Sequence, residues 1–231
     1  FSTPQWNTGI YHQSSFDITD RLNFTLGLRF DYEHVSIDYN TYANMTFDAN
    51  VMGQTASYLL SSKLINSAHH DYKQLLPKFA LTYKIFDDGS NVYASVTKGF
   101  RSGGYNIQMF SDILQSDLSA NEANAMRSSY DVAHTDADYK KVNNTISYKP
   151  ETSWNYEAGT HINLFGNKIH ADFSTFYMQI SNQQLSVFSS QYGFGRMMVN
   201  AGKSSSCGIE IALRGSAFDN HLLWNVNYGL T

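Results

Sequence analysis

From Leu22 onward the chain alternates. Leu22, Phe24, Leu26, Leu28, Phe30 and Tyr32 take every second position, with Asn23, Thr25, Gly27, Arg29, Asp31 and Glu33 between them. Successive side chains of a β-strand point to opposite faces, so this spacing predicts a strand with one apolar and one polar face. The pattern returns at Phe79, Leu81, Tyr83 and Ile85, opposed by Lys78, Ala80, Thr82 and Lys84. It returns at Trp154, Tyr156, Ala158, Thr160, Ile162 and Leu164, opposed by Asn155, Glu157, Gly159, His161 and Asn163. Leu222, Trp224, Val226, Tyr228 and Leu230 repeat it once more near the end.

Tight-turn signals lie beside these segments: Phe16-Asp17-Ile18-Thr19-Asp20, Phe86-Asp87-Asp88-Gly89-Ser90, Phe165-Gly166-Asn167 and Phe218-Asp219-Asn220. Asp, Asn and Gly suit such turns because they tolerate positive φ or bond their own backbone. Each turn follows a phenylalanine. The connections at the other end are long, roughly residues 38–72, 101–149 and 183–203, and rich in Asn, Ser, Asp, Tyr and Met. Residues 112–128 could hold a short helix within the second. The chain therefore reads as about eight antiparallel strands, with short turns at one end and large loops at the other.

A soluble β-sandwich also alternates and also turns. Two features favour a barrel in a bilayer. Several runs reach the 9–11 residues or so that a spanning strand needs, and short turns opposite long loops are the pattern of outer-membrane barrels. Phe16, Phe86, Phe165 and Phe218 then fit an aromatic girdle at the turn-side interface. Arg29, Asp31, Glu33, Glu157, His161, Glu210 and Arg214 fall on the polar face and are expected to face a water-filled or plugged lumen. Inside a sandwich those charges would need buried partners. The expected fold is all-β, an antiparallel up-and-down transmembrane β-barrel segment. Eight strands closing alone would leave an interior filled by side chains, so a segment of a wider barrel is expected, cut from a longer chain.

Composition narrows the function. The 231 residues carry a formal net charge of -4, which gives no electrostatic footprint for nucleic acid. Mean hydropathy is -0.37, and no apolar run is long enough for a spanning helix, but alternation hides a spanning strand from such averaging. With 1 Cys, no intrachain disulfide can form. No nucleophile elbow, phosphate-binding loop or H-E-x-x-H zinc motif is present, and Cys207 has no neighbouring His, so the chain is not read as an enzyme and no cofactor is expected.

Three stretches carry a family resemblance: "NVYASVTKGFRSGGYN" (91–106), "YKPETSWNYEAGTHINLFGNKIHADFSTFYMQISNQQ" (148–184) and "VNAGKSSSCGIEIAL" (199–213). Their order and spacing resemble the barrel of TonB-dependent outer-membrane receptors, with a sequence style similar to that of Bacteroidetes. The resemblance covers residues 1–231. It implies a 22-stranded barrel whose plug, TonB-contacting segment and final strands lie in other parts of a longer protein. It further implies active import of a scarce nutrient, of the ferric siderophore, haem or cobalamin class, across the outer membrane of a Gram-negative bacterium. The implied partners are outer-membrane lipid, the nutrient, TonB with ExbB/ExbD, and a possible surface lipoprotein.

Within that frame Arg101, Tyr105 and Asn106 stand where a strand leaves for the longest loop. With Gln183 and Gln184 they are the candidate ligand contacts at the extracellular rim. A wall-building role competes for Arg101, and Glu151 and Glu157 read as partners of wall or plug. His69-His70-Asp71 could ligate a metal, but adjacent loop residues rarely converge on one ion, and no metal site is assigned. Asp131, Asp136 and Asp138 lack the EF-hand Gly and Glu and read as loop charge. Sequons at Asn23, Asn44 and Asn143 read as chance matches. A passive porin-like channel and a soluble adhesion or glycan-binding sandwich remain the alternative functions.

Overall fold

The computed structural model describes residues 1–51, 54–126, 128–188, 195–218 and 221–231. In chain order the elements begin with β1 (Gln5–Asp17), β2 (Leu22–Val51), β3 (Gln54–Lys84), β4 (Asn91–Arg101) and β5 (Gly104–Tyr105). There follow α1 (Met109–Ala125), β6 (Tyr130–Val132), α2 (Asp136–Ile146), β7 (Ser147–Tyr148), β8 (Glu151–Leu164) and β9 (Ile169–Ser181). The chain continues through β10 (Gln184–Phe188), β11 (Arg196–Asn200), β12 (Lys203–Ala217) and β13 (Leu222–Leu230). One sheet runs β1-β2-β3-β4-β8-β9-β12-β13, with each neighbour antiparallel, and β6 adds to β3 in parallel. The expected up-and-down antiparallel order is the observed one.

The register fixes what each face carries. Side chains of paired residues share a face. One row reads Phe24, Leu81, Ala94, Ala158, Thr175, Ile209 and Leu230; the next reads Leu26, Phe79, Val96, Tyr156, Tyr177 and Cys207. Leu26, Leu28, Phe30, Phe79, Leu81, Tyr156 and Tyr177 are exposed although large and apolar. Water would not tolerate so wide an apolar face, whereas lipid would. On β2 the apolar rows from Leu22 to Phe30 cover about 26 Å along the strand at ~3.3 Å per residue, close to the height of a barrel's lipid-facing band.

The turns descend across the sheet. The row through Leu22 crosses Tyr83, Val92, Thr160, Phe173 and Ile211 and reaches Tyr228, six residues beyond Leu222 at the start of its strand. Six residues rise about 20 Å, against about 29 Å across six interstrand steps, a slope of about 35°. If all turns lie at one membrane surface, the strands tilt by that amount, which is the tilt of closed transmembrane barrels. At the turns Phe165, Gly166 and Asn167 all have positive φ, as does Phe218, and the four turn phenylalanines are exposed. Asp219 and Asn220 of the last turn signal lie outside the described residues.

The stretch expected as a loop, 38–72, is corrected by the structure. β2 and β3 are 30 and 31 residues long and pair continuously from Leu22↔Tyr83 to Val51↔Gln54. No bulge interrupts this register, so the faces never exchange. What changes is the sequence. Below Glu33 the apolar residues are the even ones of β2; above it they are the odd ones, Val35, Ile37, Tyr39, Ala43, Met45 and Phe47. On β3 the same inversion brings Tyr72, Ala68, Leu64 and Leu60 to the face that lower down carries Gln74 and Lys78.

That new apolar face is covered by the second long connection. Ile37, Tyr39 and Leu64 pack with Phe110 and Leu114 of α1 and Val142 and Ile146 of α2. Leu60 packs with Leu118 and Ala125. The sheet thus acquires a small hydrophobic core at its loop end, seated on the polar-face side. Helix α1 starts three residues before the expected 112–128; Arg127 lies outside the described residues. Helix α2 was not expected. Asp136 and Asp138, expected as loop charge, fall in its first turn, where carboxylates favour the helix dipole. Thr135 and Asp138 close a capping box, with the Asp138 carboxylate accepting from Thr135 N at 2.8 Å. Asp131 belongs to β6.

The third long connection, 183–203, contains the hairpin β10–β11; residues 189–194 of it lie outside the described residues. His69, His70 and Asp71 are on β3 rather than in a loop, so alternation sends His70 to one face and His69 and Asp71 to the other. Asp71 there accepts from Tyr32 and bonds His34 at 2.7 Å, under the stacked ring of Trp6.

Replacing Leu26 or Leu28 by Lys in the full-length protein should cost about 2–4 kcal/mol of folding into vesicles. Thr25→Lys, on the polar face, should cost less than half as much. Urea titration of refolded protein measures both, and equal losses on the two faces would contradict the assignment of solvents.

Candidate functional site at the loop end

The polar face is cross-linked by charge-assisted bonds. Arg29 Nε pairs with Asp31 Oδ1 at 2.7 Å on the same strand. Glu33 accepts from Gln5 Nε2 on the neighbouring strand. Tyr93 donates to Glu157 Oε1 at 2.7 Å. Asp172 bridges His161, at 2.7 Å, and Arg214, at 3.4 Å. Arg29, Asp31, Glu33, Glu157, His161, Glu210 and Arg214 all share this face by register. Glu157, His161 and Glu210 line one hollow of about 470 Å³ with Tyr93 and Asp172. These partly exposed pairs contribute little stability each; their effect is to keep long side chains ordered along the face.

Above the polar rows the three sequence motifs meet. Asn106 is buried, and its amide clamps one residue of β11: Nδ2 donates to Met198 O at 2.9 Å and Oδ1 accepts from Met198 N at 2.7 Å. Asn200 does the same for Lys149, accepting from its N–H at 2.7 Å and donating to its carbonyl at 2.8 Å, while also donating to Asn182 O. Gln184 is buried between the two. Its Nε2 donates to Ser102 O at 2.6 Å and Lys149 O at 3.1 Å, and its backbone N–H donates to Glu151 Oε2 at 2.6 Å. The strand ends before and after the helical segment are thereby tied to β10 and β11. Buried backbone groups must be paired, and irregular chain has no ladder to pair them, so side-chain amides substitute. Gly103 and Gly104 permit the close approach. A Cβ on Gly103 would stand 2.5 Å from Tyr148 O and from Tyr72 Oη.

The sequence candidates therefore divide. Asn106 and Gln184 have their amides committed to backbone. Arg101 is exposed at the strand end, and Gln183 bonds neighbouring backbone through its own N–H and carbonyl. Tyr105 stacks on His70 at 5.6 Å, and its hydroxyl is buried without a hydrogen-bond partner among the described residues. Burial pushes that phenol up to about 12 and pushes the His70 imidazole down.

The cap holds a second polar group of residues that sequence reading missed. Ser62 Oγ, on β3, lies 3.2 Å from Asp117 Oδ2 of α1, to which it donates, and 3.1 Å from His134 Nε2. Burial pushes the Asp117 carboxyl up, opposed by the neighbouring His134. Asp117 and His134 line a cleft of about 530 Å³ between α1, β6 and α2, together with Asp112, Asn121, Asp138 and Lys141. No group of three or more His, Cys, Asp or Glu among the described residues is disposed to hold a metal ion.

A family model described as "TonB dependent receptor-like, beta-barrel" matches residues 1–231. Solved structures with similar folds include the ferric yersiniabactin uptake receptor FyuA from Yersinia pestis, at 20% identity over 98% of this chain and 27% of that one, with a TM-score of 0.56. The copper transporter OprC aligns at 15% identity over 98% of this chain and 30% of its own, with a TM-score of 0.56. The hemophore receptor HasR from Serratia marcescens aligns at 14% identity over 92% and 32%, with a TM-score of 0.54. The chain thus spans about a quarter to a third of the length of these structures, and at such identities they share its fold.

Asn106→Ala should leave the Met198 N–H and carbonyl unpaired, at a local cost of about 1–3 kcal/mol. In the full-length protein, amide exchange at Met197–Asn200 should accelerate at least tenfold, while heat-modifiable gel mobility, which reports the barrel, stays unchanged. Exchange equal to wild type would show that the clamp holds nothing.

Proposed function

The chain belongs to the TonB-dependent receptor β-barrel family, a family of transport receptors and not of enzymes, and on that premise we propose that it forms wall and extracellular loops of an outer-membrane nutrient importer. The observation that carries this reading is the inverted alternation of β2 and β3. It supports a wall that leaves the bilayer as a tall hairpin and carries a folded cap on the lumen side, over the polar rows. A nutrient arriving from outside meets that cap before it meets the lumen.

The roles follow from the geometry. Arg101, Tyr105 and Gln183 contact the nutrient or the plug at the rim. Asn106 and Gln184 hold the loops that present them. The seven polar side chains from Arg29 to Arg214 face the lumen and the plug. The cargo is a scarce metal chelate, of the siderophore, haem or cobalamin class, or copper. Ferric yersiniabactin, copper and haem appear among the structural neighbours. Transport is energised by TonB with ExbB/ExbD, acting through a plug in the rest of the protein, in the outer membrane of a Gram-negative cell.

A strain deleted for the full-length gene should lose growth on one of these nutrients as sole source, and the intact gene should restore it. Removing residues 109–146, with the strand ends joined, should abolish restoration while the protein still reaches the outer membrane. Restoration in a strain lacking TonB would instead establish passive passage and overturn the importer reading.

A further inference from the structure

The apolar face is not uniform. In the row from Phe24 to Ile209 the side chains shrink over three consecutive strands to Ala94, Ala158 and Thr175. These residues sit within a hollow of about 530 Å³ edged by Phe24, Leu81, Phe79, Tyr156, Tyr177 and Cys207. The hollow continues upward along β4 over Val96, between Phe79 and Tyr156. Two residues above Val96 on the same face comes Lys98, paired in register with Trp154. In that row the outward residues turn polar, with Gln179 and Ser205 beyond Trp154. Lys98 stands about 13 Å above Ala94 along the strand.

We propose that this hollow seats one phosphate-bearing lipid of the outer leaflet, its acyl chain over Ala94, Ala158 and Thr175 and its phosphate at Lys98. The inference rests on the membrane reading of the apolar face. Hydrocarbon is the occupant because the hollow opens within the lipid-facing band and its lining is predominantly apolar. Left empty, its walls would forfeit their dispersion contacts. The headgroup is anionic because the first charged side chain met above the hollow is a lysine, with an amphipathic indole at its side. The lipid is on the outer leaflet because Lys98 lies toward the loop end of β4 and the tight turns lie at the other.

The test uses full-length receptor taken from nanodiscs of phosphatidylcholine doped with phosphatidylglycerol, delipidated in detergent and weighed by native mass spectrometry. Wild type should retain one phosphatidylglycerol. Ala158→Trp, which fills the hollow from the lipid side, should reduce retention at least tenfold; Ala94→Leu serves if that variant loses heat-modifiable mobility. Lys98→Gln should retain lipid but lose the preference for phosphatidylglycerol over phosphatidylcholine. Equal retention by wild type and Ala158→Trp, an unchanged preference in Lys98→Gln, or a second receptor copy in place of lipid would each overturn the proposal. A receptor that stays in the aqueous fraction without detergent would instead refute the membrane reading itself.

Discussion

Lipid offers no hydrogen bonds, and the rest of the structure depends on that. Each backbone N–H and C=O that crosses a bilayer as a strand must find its partner in a neighbouring strand. This is why the sheet is continuous, antiparallel and tightly turned at one end, and why its rows step down at a slope that leads toward closure. The outer flanks of β1 and β13 carry no strand partner among the described residues. In a closed barrel further wall supplies those partners; in water alone such edges invite aggregation.

Outside the bilayer the constraint is released, and the molecule changes its construction without changing its backbone. Along β2 and β3 one ladder serves two solvents. In its lower half the large apolar residues face lipid and the charges take the opposite face. In its upper half the first face carries Ser36, Asp38, Asn40 and Lys63, with Tyr42, Leu59 and Ile65 exposed among them, and the opposite face builds a core with α1 and α2. The cap lies over the polar rows because the inverted phase leaves apolar side chains on that face. Its attachment to β10 and β11 is of another kind, made by the amides of Asn106, Gln184 and Asn200 in place of a sheet ladder.

The lower wall was legible because period-2 alternation is a local signal and its phase is constant from Leu22 to Tyr32. The extension does not stand out as strand, although its alternation continues, because one inversion of phase at Glu33–Val35 puts its apolar residues on the opposite face. Helix α2 was hidden for a related reason. Its sequence, DADYKKVNNTI, is polar all round except for the stripe with Val142 and Ile146 that packs on the cap core, and the Thr135–Asp138 box was its one local mark. Among the candidate ligand residues, the position of Asn106 where the chain leaves the sheet for its longest connection followed from its motif. That its amide is spent on Met198, 92 residues away, did not.

By itself the sequence determined which residues face apart, where the tight turns fall and that the apolar face must be wide, because neighbours along a strand settle these. Only the tertiary structure decided which loop folds over which face, which amides are committed to distant backbone, and where small residues from three separate strands fall side by side. Those depend on register between segments far apart in the chain, and register is set by pairing across the whole sheet.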